Sequence, residues 1–127
     1  MTIAPEKTET QVQLRLGEEW IALCALSLLT PGRGVAALLP DGRQVAVFLD
    51  REGAAFAIDN RDPFSGAQVL SRGLVGSSSG HPFVASPLLK QRFDLASGHC
   101  LDDDSMSVTA YEVRLSTDLA VGSGSAA

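Results

Sequence analysis

The sequence predicts an all-β domain, a sandwich of short antiparallel strands and hairpins with little helix. Short apolar or alternating runs recur about every ten residues, separated by turn signals. Gly- and Asp-containing turns such as Pro40-Asp41-Gly42-Arg43 and Ala96-Ser97-Gly98 punctuate those runs. Stretches with helical spacing of apolar residues are nearly absent. At 127 residues, 45% apolar and 20% charged, the chain has the size and composition of one globular domain with one core.

The folded part is expected over 12–119, between a polar, flexible N-terminal tail at 1–11 and a small-residue, flexible C-terminal tail at 120–127. Trp20 to Cys24 is the first expected strand, and Leu26 to Thr30 a single helical turn ended by Pro31-Gly32. Gly34 to Leu39 and Gln44 to Leu49 form a hairpin, in which Asp41-Gly42 suits a tight primed turn. Val45 and Val47 share a face. After the turn Asp50-Arg51-Glu52-Gly53, the run Ala54 to Asp59 puts Phe56 and Ile58 on one face and Ala55, Ala57 and Asp59 on the other, completing a three-stranded meander.

Asn60 to Gly66 breaks the alternation around Pro63 and Phe64, and an irregular loop of this kind on a rigid sheet suits a functional role. Gly73 to Gly80 is expected as a flexible Gly- and Ser-rich loop, followed by a strand at Phe83 to Ala85 and a second irregular loop opened by Pro87 and running to Gln91. Arg92 to Leu95 and His99 to Leu101 flank the turn at Ser97-Gly98. Asp102 to Ser107 is an acidic loop, and Thr109 to Leu115 is the last strand, with Tyr111, Val113 and Leu115 on one face. The sequence has no internal repeat.

Charge and composition exclude several function classes. Fifteen acidic against ten basic residues give a net charge of −5 with no basic stripe, which argues against nucleic acid as a partner. The long uncharged apolar run Trp20 to Leu29 is about half of what a membrane-spanning helix needs, and Gly17-Glu18-Glu19 precede it where a signal peptide carries basic residues. A cytoplasmic location follows as the expectation. Cys24 and Cys100 form no CxxC, so two buried free thiols are expected, with a disulfide as the alternative.

The glycine-rich 73–80 stretch lacks the GK[ST] ending of a phosphate loop. Ser86, His81 and an aspartate carry no nucleophile-elbow context. Asp102, Asp103 and Asp104 do not alternate as calcium ligands do.

One constellation rises above this background. Ala57-Ile58-Asp59-Asn60-Arg61-Asp62-Pro63-Phe64-Ser65-Gly66-Ala67 resembles the first cluster-binding loop of Rieske domains, where Cys-Pro-His stands between an arginine and a Gly-Ala stretch. Ser86-Pro87-Leu88-Leu89-Lys90-Gln91-Arg92-Phe93-Asp94 is similar to the family's Cys-Pro-x-His loop and the Arg-Phe-Asp strand after it. The resemblance implies a Rieske-like β-sandwich in which Asp62, Phe64, Ser86 and Leu89 stand at the four [2Fe-2S] ligand positions. A Rieske centre needs two thiolates and two imidazoles. These four residues offer neither, and His99 and Cys100, adjacent in a strand, point to opposite faces. A cluster-free domain is therefore expected, without metal and without catalytic residues. In it Phe64 and Leu89 pack where the inorganic core would sit, and Asp62 caps its loop or pairs with Arg61 or Lys90.

The string Asp59 to Ala67, with Val69-Leu-Ser-Arg-Gly73, Ala85-Ser-Pro-Leu88 and Cys100-Leu-Asp-Asp103, is similar to the small-subunit family of assimilatory NAD(P)H-dependent nitrite reductases, from about Trp20 to Leu115. This implies an accessory subunit of a heteromeric oxidoreductase. Its large subunit, carrying FAD, an iron–sulfur cluster and siroheme, reduces nitrite to ammonium. Arg61, Asp62, Phe64, Leu89, Lys90 and Gln91 are the expected contacts to that partner. The alternatives are a Rieske-type electron carrier and an auxiliary domain of another oxidoreductase.

Overall fold

The computed structural model describes residues 9–117, which form ten antiparallel strands and two single-turn 3-10 helices. The strands are β1 (Gln11–Leu16), β2 (Glu19–Ala25), β3 (Val35–Leu38), β4 (Gln44–Leu49), β5 (Ala55–Asp59), β6 (Leu74–Ser78), β7 (His81–Ala85), β8 (Arg92–Asp94), β9 (Ala110–Tyr111) and β10 (Val113–Ser116). They make three sheets, ordered β10-β1-β2, β3-β4-β5-β9 and β6-β7-β8. No helix among the described residues is long and apolar enough to cross a membrane.

The all-β reading holds, and the sandwich has a third layer. Val45 through Phe48 are all buried, because β4 lies in the middle sheet and both of its faces are covered. Val45 and Val47 join Val12, Leu14, Leu39 and Ala57 in one core, whereas Ala46 and Phe48 join Ile58, Leu70, Val84 and Phe93 in the other. The period-2 alternation thus distributes side chains between two cores rather than between core and solvent. Phe56 and Ile58 fall on one side of β5 and Ala55 and Ala57 on the other, as their alternation predicts.

Four features differ from the sequence reading. The alternating Val12, Leu14 and Leu16 form strand β1, which starts at Gln11 and pairs with both β2 and β10. Leu74 to Ser78, expected as loop, is strand β6: Val75 packs against the core, and Ser79 and Gly80, at φ 52° and 80°, make the two-residue turn into β7. The β3–β4 turn is not primed, since only Gly42 has positive φ, 94°, and Leu39 N–H donates to the Arg43 carbonyl across a three-residue loop. The final strand is split at Glu112. Tyr111 pairs with Ala57 of β5 and Val113 with Leu14 of β1, so the chain crosses from the middle sheet to an outer one, and Leu115 is left exposed.

Both cysteines are free, Cys24 half-buried and Cys100 in the core beside the β8 strand. Burial pushes the Cys24 thiol pKa up. Of the tails expected at 1–11 and 120–127, residues 1–8 and the whole C-terminal one lie outside the described residues, and Gln11 belongs to β1.

Candidate functional site

The two irregular loops share one backbone design. In 62–67, Asp62 N–H donates to the Ala67 carbonyl at 2.8 Å and Gly66 N–H to the Asp62 carbonyl at 2.7 Å. In 86–91, Ser86 N–H donates to the Gln91 carbonyl at 2.8 Å and Lys90 N–H to the Ser86 carbonyl at 3.1 Å. The hairpin 94–99 repeats the scheme, Asp94 to His99 at 2.9 Å and Gly98 to Asp94 at 2.7 Å. In each loop the fifth residue is left-handed: Gly66 at φ 82°, Lys90 at 73° and Gly98 at 81°. The side chain of each first residue accepts from the N–H two residues on, Asp62 from Phe64, Ser86 from Leu88 and Asp94 from Ala96. The repeat is one of hydrogen-bond geometry. A short acceptor side chain at the first position is its main requirement, so it leaves little trace in the sequence.

The first two loops meet through those leading residues. Ser86 Oγ donates to Asp62 Oδ2 at 2.5 Å, and both side chains are buried. A chain of donors therefore runs from Leu88 N–H to Ser86 Oγ and on to the Asp62 carboxylate, whose other oxygen takes the Phe64 N–H at 2.8 Å. This closed network satisfies a buried carboxylate that would otherwise be costly. The base of the first loop is braced by Asn60, a residue the sequence reading did not single out. Its Nδ2 donates to Gln44 Oε1 at 3.0 Å and its Oδ1 accepts from Ser71 N–H at 2.7 Å, joining β4, the loop and the 3-10 turn Leu70–Arg72.

The expected contact residues divide by exposure. Asp62 is inside the loop junction and bonds to Ser86, not to Arg61 or Lys90, because its carboxylate is consumed by capping. Phe64 is half-buried, its ring 6.3 Å from that of Phe93, so it does pack inward. Leu89 does not: it is 50% exposed, since it stands at the loop tip, away from the junction formed by the first residues. Arg61 and Lys90 are exposed, with the Arg61 guanidinium folded over Gly66. Gln91 is half-buried, and its Oε1 is enclosed with no hydrogen-bond partner among the described residues.

This donor set does not fit a [2Fe-2S] cluster. The ring at Phe64 and the aliphatic chain at Leu89 have no donor atom, and the oxygens of Asp62 and Ser86 are spent on each other. Among the described residues, no three His, Cys, Asp or Glu side chains gather at metal-binding distance. Beside the loops, hydrogen bonds from the Arg92 guanidinium hold the Asp102 carboxyl below the usual range. On the adjoining sheet, burial and then the hydrogen bond to Asp59 push the Tyr111 phenol up to about 12.

The layered strands and paired loops define a Rieske-like architecture, and the family model described as "Rieske-like [2Fe-2S] domain" matches residues 19–121. The chain belongs to that family and, within it, to the nitrite reductase small subunits. It is 46% identical over 98 residues to proteins named nitrite reductase (NADH) small subunit from Salmonella typhimurium and Escherichia coli K12, covering 76% of this chain and 90% of theirs. A crystal structure of an NADH-dependent nitrite reductase small subunit from Mycobacterium tuberculosis superimposes with a TM-score of 0.70 at 47% identity, over 83% of this chain and 86% of that one. A further match, 41% identical over 96 residues, covers 76% of this chain and 10% of a Klebsiella oxytoca chain named nitrite reductase [NAD(P)H] large subunit.

Proposed function

We propose that this chain is the accessory small subunit of an NAD(P)H-dependent nitrite reductase, which binds and supports a large subunit that reduces nitrite to ammonium. The 46% identity over nine-tenths of the length of named small subunits carries this reading. The occurrence of a related module within a large-subunit chain supports the partnership. FAD, iron–sulfur cluster and siroheme belong in this reading to the large subunit, and the small subunit, a single domain over 12–119, works in the cytoplasm without a redox group of its own. The Asp62–Ser86 bond supports that view, because it fills the junction between the loops with hydrogen bonds. Arg61, Phe64, Leu89, Lys90 and Gln91 are the proposed partner contacts, with Asp62 holding their loops together.

Nitrite-dependent NAD(P)H oxidation by the matching large subunit, alone and with an equal amount of this chain, tests the proposal. A gain in rate or in active lifetime is the expected result. No complex and no change would rule out the accessory role. Iron and acid-labile sulfide in anaerobically purified protein would instead favour an electron carrier.

A further inference from the structure

An apolar row crosses the outer face of the β6-β7-β8 sheet and leads into the second loop. Leu74 pairs with Ala85 and Ala85 with Arg92, while Leu101 N–H donates to the Arg92 carbonyl. Val84 and Phe93 point into the core, so Ala85, Arg92 and Leu74 point outward. Cys100, bridged to Phe93, is buried, which turns Leu101 outward as well. At the usual spacing of strands the row is roughly 15 Å long. Leu74 is 78% exposed, and Leu88 and Leu89 on the loop that follows are 50% exposed each. The Arg92 guanidinium lies 5.5 Å from the centre of the Phe83 ring and is paired with Asp102, so it adds a flat, neutralised surface. Exposed leucines gathered on one face in this way mark an interaction surface.

At the Leu74 end of the row and on the second loop, the exposed Arg72 and Lys90 form no ion pair among the described residues, while the acidic Asp103 and Asp104 follow Leu101 at the other end. We propose that the row and the second loop form one docking surface for the large subunit, taking an apolar patch of it that carries carboxylates on the side of Arg72 and Lys90. This inference rests on the small-subunit reading.

Two observations select that occupant. Gln11 pairs with Ser116, so the described ends lie together on the β10-β1-β2 sheet and not on the β6-β7-β8 sheet that carries the row. A large-subunit chain that contains this module, as the Klebsiella relative does, can therefore join it at those ends and still receive the loop face.

The test is binding of the full chain to the large subunit from the same source. Leu74→Asp and Leu101→Asp are each expected to raise Kd about tenfold or more with unchanged circular dichroism. Leu28→Asp, 65% exposed but on the 3-10 turn after β2, should stay within about twofold. Lys90→Glu should raise Kd and weaken its salt dependence. If an aspartate variant fails to fold, Leu74→Gln and Leu101→Gln replace it. Wild-type affinity in both leucine variants would overturn the docking surface and leave the small-subunit reading intact. No binding by the wild type would overturn both. Self-association abolished by Leu74→Asp would reassign the surface to a second copy.

Discussion

Ser86 and Asp62, on two loops separated by the whole β6–β7 hairpin, share a buried hydrogen bond of 2.5 Å. Both residues also cap their own loops, so the bond fastens two preformed units to each other. Ser86→Ala removes the donor and leaves one carboxylate oxygen buried without a partner. Asp62→Ala strands the Ser86 hydroxyl and the Phe64 N–H. Each should cost about 1–3 kcal/mol in chemical denaturation. In the double variant the costs should overlap, with a coupling of about 1 kcal/mol or more. Strict additivity would mean that the loops are held together elsewhere.

Gly98 and Gly53 both have positive φ, 81° and 91°, but differ in surroundings. A Cβ on Gly98 would overlap the Val108 carbonyl oxygen, whereas around Gly53 there is open space. Gly98→Ala therefore combines backbone strain with a steric clash and should destabilise by about 3 kcal/mol. Gly53→Ala carries the strain alone, offset by lost freedom of the unfolded chain, and should cost about 1 kcal/mol. Equal losses would show that Val108 moves aside.

The contrast between strand and loop shows what the sequence discloses. The alternation of Phe56, Ala57 and Ile58 is a local property, and it gave their two faces correctly. The positions Asp62, Phe64, Ser86 and Leu89 were found by resemblance, which carries no information on who touches whom. Asp62 was expected to cap its loop or to pair with Arg61 or Lys90; it does cap the loop through the Phe64 N–H, and its second partner, Ser86, lies 24 residues on. Leu89 and Phe64 looked equivalent as apolar residues, yet only one reaches the core. Strand β6 was hidden because its glycine and serines read as a loop, while its strand character comes from pairing with β7.

Lys90 occupies the left-handed position that glycine holds in the other two loops of the same design. A lysine there stores about 1–2 kcal/mol of backbone strain. Replacing it by glycine relieves that strain and increases the freedom of the unfolded chain, for a net gain of about 0.5–1 kcal/mol in folding stability. The same change removes a cation from the proposed docking rim, so binding to the large subunit should weaken as stability rises. A Lys90→Gly variant that loses stability would contradict the strain.

Phe64 and Leu89 should separate folding from binding. Phe64→Asp places a charge against Phe93 and is expected to destabilise the domain by about 2 kcal/mol or more. Leu89→Asp, at the exposed loop tip, should leave the unfolding midpoint within about 0.5 kcal/mol while reducing capture of the large subunit. Denaturation and pull-down on the same samples distinguish these effects. Full binding by a folded Leu89→Asp protein would remove that side chain from the interface.

Tyr111 gives the fold a defined response to alkaline pH. Its phenol is half-buried, donates to Asp59 Oδ1 at 2.7 Å and has its pKa pushed up from 10.0 to about 12. Arg43, whose Nη1 donates to the phenol oxygen at 3.1 Å, acts in the opposite direction without cancelling the rise. The folded state thus keeps its proton where the unfolded chain loses it. The stabilisation linked to Tyr111 is complete below pH 10 and is lost progressively between pH 10 and about 12, because ionisation there favours the unfolded state. Ultraviolet titration of the single tyrosine should show a midpoint well above 10 in the native protein and near 10 in denaturant. Tyr111→Phe should flatten the dependence of unfolding free energy on pH over that interval. A native midpoint at 10 would mean that the phenol and Asp59 are not held together in solution.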